Sequence, residues 1–257
     1  MHKGDLREST HRMFDESADD YLRGDRHWGC DLDVITRCAN GTPELSVVEF
    51  GSGYCWHLAN LVLLTSSKVK RIVGIDYSRE MLRRAKVFLE KSTHFGCGLS
   101  QRVELLEEDM LSTSLAAGSC DLLMMLNNTL GNLPGPTFTD AEQERRKALI
   151  EAHRVLSDNG QLVLTVYHAE QMRRESAYGE VFELDEGMSD FSAHDYVVRY
   201  RRTATPCYSH WFEEGEARTL LGGCGFEVTF LETRLERLVF VCRKIQRGGH
   251  VSDSAHG

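Results

Sequence analysis

The sequence lacks several features that would place it at once. No apolar run approaches about 18 residues, so no membrane-spanning helix and no membrane partner are expected. The opening residues, MHKGDLREST, carry no apolar stretch, so no secretory leader is expected. There is no excess of positive charge: 30 Lys and Arg stand against 39 Asp and Glu, a formal net charge of -9. An acidic chain attracts phosphate backbones poorly, which argues against nucleic acid as the partner. The local basic clusters at Arg71, Arg83/Arg84, Arg145/Arg146/Lys147 and Arg199/Arg201/Arg202 read as solvated faces. Cysteine is present eight times, but never as CxxC and never beside histidine at zinc-site spacing. Reduced, buried thiols in a cytoplasmic protein are the expectation. No internal repeat is found, and nothing in the pattern assigns an oligomeric state.

What is there is a chain of 257 residues, 41% of them hydrophobic, enough for one domain with a small appended cap. Residues 1–12 are polar and expected to fray. From Phe14 to Cys38 the pattern is helical, with Phe14, Ala18, Tyr21 and Leu22 on one face and breaks at Gly24 and Gly29. Residues 1–44 thus form a helical arm. Short apolar runs then alternate with helical stretches. Strands are expected over 46–50, 71–75, 102–106, 121–126 and 161–167, and helices over 56–64, 78–90 and 139–156. Such βα units build an open, mostly parallel sheet with helices on both faces. Residues 121–126 (DLLMML) are continuously apolar, as a strand buried on both faces should be. Past Tyr167 the pattern changes to a strand over 197–203, a helix over 212–221 and a hairpin from 226–232 and 238–243. Residues 169–211 are read as a cap inserted into a main domain spanning 45–245. The Gly/Ser-rich tail, 246–257, is expected to be disordered.

The sharpest signal is Glu49-Phe50-Gly51-Ser52-Gly53-Tyr54-Cys55, which ends the first strand and opens the first helix of the alternating region. Glycines there let the backbone approach a ligand closely. Asp76 closes the second strand, where a carboxylate can accept from both hydroxyls of a ribose. This is the geometry of a nucleoside site. A dinucleotide would favour GxGxxG, but the third position is Trp56. Glu49 would repel a pyrophosphate and suit an ammonium. The residues therefore favour S-adenosylmethionine, which carries an ammonium and a sulfonium and no phosphate.

Four motifs in order resemble those of class I S-adenosylmethionine-dependent methyltransferases: Glu49-x-Gly51-x-Gly53, Asp76, Glu107-Glu108-Asp109-Met110, and residues 121–126 followed by Asn127-Asn128. The resemblance implies a Rossmann-like, doubly wound α/β fold with a seven-stranded, mostly parallel sheet and a C-terminal antiparallel hairpin. It also implies site roles. Gly51, Ser52 and Gly53 would line the methionine and ribose, and Asp76 would hold the ribose hydroxyls. Tyr77 or Met81 would cover the adenine. Asp109 would accept from adenine N6, and Met110 would donate its backbone N–H. The Leu126 carbonyl would take the ammonium. Cys55 stands where many members have a third glycine.

The segment from Leu126 to Pro134 resembles the corresponding loop of glycine and sarcosine N-methyltransferases. Tyr21 and Trp28 resemble the arm that closes over the cofactor in those enzymes. The arginine which that family places after the fifth strand is missing; His168-Ala169-Glu170 stands there instead. The expected acceptor is a small molecule, most readily an amine nitrogen, with S-adenosylhomocysteine as the second product. Oxygen or carbon acceptors, and a nucleic-acid acceptor, are the alternatives. His168 and His210 are candidate bases because histidine titrates near working pH. Asn128 is the candidate substrate-orienting side chain, with Asn127 beside the cofactor. Tyr196, Tyr200 and Tyr208 are candidates for an aromatic wall. No acidic neighbour accompanies Asn127 and Asn128, so no metal is expected.

Overall fold

The computed structural model of the chain describes residues 5–21, 31–40, 42–92, 98–135, 138–174 and 182–245. Trp28, Gly24, Gly29 and the 246–257 tail lie outside the described residues, as does the side chain of Tyr21.

Seven strands form one sheet: β1 (Glu44–Phe50), β2 (Lys68–Asp76), β3 (Val103–Glu107), β4 (Cys120–Met125), β5 (Leu156–Tyr167), β9 (Phe226–Arg234) and β10 (Arg237–Lys244). Their order is β3-β2-β1-β4-β5-β10-β9. The first five run parallel, and β10 lies antiparallel to both β5 and β9. The α/β architecture inferred from sequence is therefore the one observed. Helices α3 (Trp56–Leu64), α4 (Arg79–Lys91), α6 (Phe138–Val155) and α8 (Glu214–Gly223) connect the strands. β4 is buried at all but one position, as its unbroken apolarity requires. Apolar side chains cover both faces of the sheet and make two clusters, one under α6 and α8 and one under α2 (Leu32–Asn40), α3 and α4.

This order places the site. The chain steps outward from β1 to β2 and β3, then returns to pair β4 with β1. At such a reversal the loops after the two strands diverge and leave a crevice at their carboxyl ends. Gly51 follows β1, Asp76 ends β2, and Leu126-Asn127 follows β4, so all border that crevice.

Several boundaries differ from expectation. Residues 5–12 are not frayed, because α1 runs from Asp5 to Tyr21. Its buried side chains include Ser9, Thr10 and Ser17, which made the segment look solvated. Thr10 and Ser17 satisfy their hydroxyls on carbonyls one turn back, at 2.7 Å each, to Leu6 and Met13. β5 begins at Leu156 rather than after Asn159-Gly160. Leu156 already opposes Cys120, and the register then jumps so that Gln161 opposes Leu122. The Asn-Gly pair is an irregularity within the strand, where a turn was read.

The cap region folds as α7 (Ala169–Arg174) and a three-stranded antiparallel sheet of β6 (Phe182–Leu184), β7 (Asp195–Tyr200) and β8 (Pro206–His210). β8 was missed because all five of its residues are buried, so it shows no alternation. α1 lies across it: Ser9 Oγ donates to the Pro206 carbonyl at 2.6 Å, and Tyr208 N donates to Thr10 Oγ1 at 3.0 Å. A short helix, α5 (Leu99–Arg102), precedes β3.

Candidate active site

A cleft of ≈ 730 Å³, counting its open mouth, lies at the carboxyl ends of β1, β2 and β4. Its floor is the turn after β1. Gly51 has φ +67°, and a Cβ there would stand 2.5 Å from Thr129 Cγ2. Gly53 has φ +51°, yet a Cβ there would meet nothing within 4 Å. The first glycine is required by packing. The second keeps open a space that lies on the cleft. Cys55 holds φ 63°, the left-handed conformation that glycine adopts freely. The backbone shape of a third glycine is thus present without one. Burial pushes the Cys55 thiol well above its ordinary range, which excludes it as a nucleophile.

Asp76 sits at the cleft wall. Its Oδ2 accepts from Gly53 N at 2.8 Å and its Oδ1 from Ser78 N at 2.9 Å. Loss of hydration pushes its carboxyl up to about 6, against those two bonds. Ser78, which caps α4 through Met81 N, leaves Asp76 free of the capping role. Tyr77, Met81 and Met110 line the same end of the cleft. Phe14 of α1 reaches it too, with Tyr77 edge-on to Phe14 at 6.4 Å between ring centres.

At the other end stand Glu49 and His57. Both are almost fully buried. His57 Nδ1 lies 3.0 Å from Glu49 Oε1. Glu49 Oε2 is buried with no hydrogen-bond partner. Burial drives the Glu49 carboxyl upward, and His57 opposes that. A buried, unpartnered carboxylate oxygen is costly unless a ligand satisfies it. Trp56, edge-on to His57 at 5.3 Å, completes that wall.

Among the expected cofactor residues, Glu49, Gly51, Ser52, Gly53, Asp76, Tyr77, Met81, Met110, Leu126 and Asn127 border the cleft. Two of the expected groups, Asp109 and the Leu126 carbonyl, are engaged otherwise. Asp109 is not on the lining; its Oδ1 accepts from Leu111 N at 3.0 Å and its Oδ2 from Arg7 Nη2 at 2.5 Å, so it closes a turn and holds α1. The Leu126 carbonyl already accepts from Thr129 Oγ1 at 2.7 Å and from Thr129 N at 3.1 Å. Both lone pairs are engaged, which leaves Glu49 Oε2 as the open acceptor. Asn127 lines the cleft while its Oδ1 accepts from Arg237 Nη1 at 2.7 Å. Trp28 and the side chain of Tyr21 lie outside the described residues.

The expected catalytic residues lie elsewhere. His210 is 1% exposed, with Nδ1 2.7 Å from Asp195 Oδ1 and Nε2 2.7 Å from Glu216 Oε1. Both nitrogens are held, so it is a framework residue and not a base. Asn128 is fully buried. Its Oδ1 accepts from Tyr167 N at 3.0 Å, and its Nδ2 donates to Ser209 Oγ at 3.3 Å and to the His210 carbonyl at 3.2 Å. It ties β5 to β8 and orients no substrate directly. His168 also lies off the cleft lining, at the end of β5, with Nδ1 buried and unpartnered. Tyr196 and Tyr208 are fully buried and Tyr200 nearly so, so they form core and not an exposed wall. Tyr196 stacks on Trp211 at 3.9 Å. Asn132, expected in the pocket wall from the sequence, lines the cleft, and the lining residues that sequence reasoning missed are Phe14, Tyr54, Trp56, His57, Thr129 and Leu133. His57, eight positions after Glu49, was the one with a readable signal: a second titratable group in the first turn of the helix. No metal-binding cluster of His, Cys, Asp and Glu occurs among the described residues, and none of their helices is long and apolar enough to cross a membrane.

Residues 48–164 match the family model of a methyltransferase domain. No curated protein matches the sequence. Solved structures share the fold. A methyltransferase of Methanosarcina mazei described as dependent on S-adenosylmethionine is 22% identical, covering 79% of this chain and 94% of its own, at a TM-score of 0.58. The CcbJ methyltransferase of Streptomyces caelestis is 17% identical, with coverages of 91% and 98% and a TM-score of 0.66. The 1,6-didemethyltoxoflavin-N1-methyltransferase of Burkholderia thailandensis, solved with its substrate and S-adenosylhomocysteine, is 17% identical, with coverages of 92% and 87% and a TM-score of 0.60. The open space over Gly53, the carboxylate at Asp76 and the unpartnered Glu49 oxygen fit the ribose and ammonium of S-adenosylmethionine. Residues 48–164 thus match a methyltransferase domain, and the cleft at their strand ends presents the groups that S-adenosylmethionine would need.

Proposed function

We propose that the acceptor is a small molecule and that the atom methylated is an amine nitrogen. The observation that carries this reading is the cleft itself. It is walled by Phe14, Trp56 and Tyr77, with Asn127 and Asn132 as neutral polar groups, and its described lining carries no Lys or Arg. Aromatic faces and amides suit a compact amine better than a phosphate-bearing polymer. The loop from Leu126 to Pro134 resembles that of glycine and sarcosine N-methyltransferases, which adds to the reading. The Burkholderia thailandensis enzyme, by its description an N1-methyltransferase, offers a precedent on the same fold.

When bound, S-adenosylmethionine supplies a methyl group on a sulfonium, which a nitrogen lone pair takes in line as a neutral sulfide departs. The protein's part is orientation and exclusion of water. Asp76 and the Gly51–Gly53 turn hold the nucleoside, and Glu49 holds the ammonium. The aromatic wall keeps the acceptor dry. An amine that arrives neutral needs no strong base, which is consistent with the placement of His168 and His210 away from the cleft.

Calorimetric titration of S-adenosylhomocysteine into the wild-type protein and Asp76→Ala, followed by a screen of amine, phenol and RNA acceptors with labelled S-adenosylmethionine, tests this. Micromolar binding, weakened at least tenfold (about 1.4 kcal/mol) in the variant, is expected, with label entering amines. Label entering only phenols or RNA would sink the amine reading.

A further inference from the structure

The Glu49–His57 pair joins the first residue of the Glu49-x-Gly51-x-Gly53 motif to a histidine of α3 that no motif contains, and it has a property that holding a ribose does not need. It is a buried acid–base pair with one oxygen turned to no partner. The Oε1 side is closed by His57 Nδ1 at 3.0 Å, while Oε2 is buried and unsatisfied. Both residues border the cleft. The Leu126 carbonyl, the other acceptor within reach of that end, is saturated by Thr129.

We propose that the Glu49–His57 pair is a proton-exchange site: it shares one proton in the free protein and gives that proton to solvent when the cofactor's ammonium settles against Glu49 Oε2. The inference rests on the reading of the cleft as the S-adenosylmethionine site. The reasoning is one of charge in a place with little water. A proton shared by a carboxylate and an imidazole leaves the buried pair neutral. An ammonium arriving at Oε2 adds a positive charge. The site regains neutrality by releasing the shared proton, which leaves a carboxylate, a neutral imidazole and the ammonium. The bookkeeping balances: one cation is bound and one proton leaves. The upward pull of burial on the Glu49 carboxyl acts in the same direction, since it holds the proton in the empty site.

The groups that face Glu49 are few. His57 comes from α3, Cys55 from the turn, and Asp76 from the end of β2, with Asp15 of α1 facing Asp76 in turn. Its strand neighbours, Gly74 in β2 and Met124 in β4, carry no charge. Cys55 keeps its proton throughout. Asp76 is the one competitor, because its carboxyl sits at about 6 and ribose binding would favour its ionised form. Above pH 7 it is already ionised, so the two sources separate by pH.

The experiment is calorimetric titration of S-adenosylhomocysteine into the full chain at pH 7.5, in phosphate and in Tris, whose ionisation enthalpies differ widely. For the wild type the observed heat is expected to differ between buffers by an amount equal to about one proton released per site. Affinity is expected to rise toward tenfold per pH unit between pH 6.5 and 8. Asp76→Asn binds more weakly but still releases the proton. Glu49→Gln binds at least tenfold more weakly and releases none. His57→Gln keeps the release while the affinity plateau moves to higher pH, because nothing then stabilises the Glu49 carboxylate. A His57 with only a packing role would lower the melting temperature and leave that profile in place. Binding with buffer-independent heats overturns the proposal and leaves the cofactor assignment standing. Equal proton release by Glu49→Gln also overturns it. No binding by the wild type removes both.

Discussion

Two buried histidine–carboxylate pairs occur among the described residues, and they differ in what is left over. His210 and Asp195 lie between the three-stranded sheet and α6. There Asp195 Oδ1 also accepts from the Tyr208 hydroxyl, which in turn accepts from Arg145 Nη1 at 2.7 Å, and Glu216 takes the second nitrogen of His210. His57 and Glu49 lie at the cleft with a carboxylate oxygen unanswered. The first arrangement is complete and joins elements. The second is incomplete and waits for something. Histidine and carboxylate in one place do not distinguish scaffold from site; the unspent hydrogen bond does.

Substitution should separate the two pairs most sharply. Asp195→Ala leaves Arg145 and His210 buried without their shared partner, and should lower stability by about 3–5 kcal/mol in denaturant unfolding. Glu49→Gln should change the same measurement by less than about 1 kcal/mol, since one hydrogen bond is at stake. Equal losses would erase the distinction between the pairs.

The two glycines of the turn offer the same contrast at smaller scale. Gly51→Ala places a Cβ against Thr129 at positive φ, and should cost about 1–3 kcal/mol of stability. Gly53→Ala has room in the fold and should cost about 1 kcal/mol, yet it fills the space above the turn. Its affinity for S-adenosylhomocysteine should fall at least tenfold by calorimetry, about 1.4 kcal/mol.

A pH series sharpens the comparison further. Glu151, held to Arg154 at 2.6 Å and to Thr113, is pulled down to about 2. Its contribution is present above pH 4.5 and is lost as pH falls toward 2. Asp76 is raised to about 6 from 3.8, so the folded state holds its proton more tightly than the unfolded one. Its contribution is full below pH 3.8 and is lost as pH rises through 6. Melting temperatures of Asp76→Asn should therefore lack the decline between pH 4 and 6 that the Asp76 carboxyl imposes on the wild type, while Glu151→Gln should flatten the acid limb instead. The smallest effect is expected at Arg7→Ala. The Arg7–Asp109 pair is about half exposed, so stability should change by less than about 1 kcal/mol, and S-adenosylhomocysteine should bind no more weakly once Asp109 is released.

The fold was legible because its core strands are short apolar runs with turn residues between them. β4 and the hairpin of β9 and β10 needed nothing further. The cradle was legible for a related reason: the positive-φ turn and the acid after β2 are local features, each contained within a few residues. The partners of Asp109, Asn128 and His210 were not legible. Arg7 is 102 residues from Asp109, and Ser209 is 81 from Asn128. A side chain's role depends on what the fold brings against it, and these partners arrive from elements that carry no motif. α1 and β8 were misread for the complementary reason. Their buried faces use serine, threonine, tyrosine and histidine, so composition concealed contact.

The crossing of α1 over β8 also bears on the order in which the protein is made. α1 leaves the ribosome well before its partners, because the carbonyl and amide it bonds belong to Pro206 and Tyr208, 197 and 198 residues downstream. The helix cannot dock there until β8 has been synthesised. Phe14, which rides on that helix into the cleft, arrives with it. Until β8 is made the nascent sheet therefore has an unroofed crevice, and the growing chain completes the wall of that crevice only afterwards.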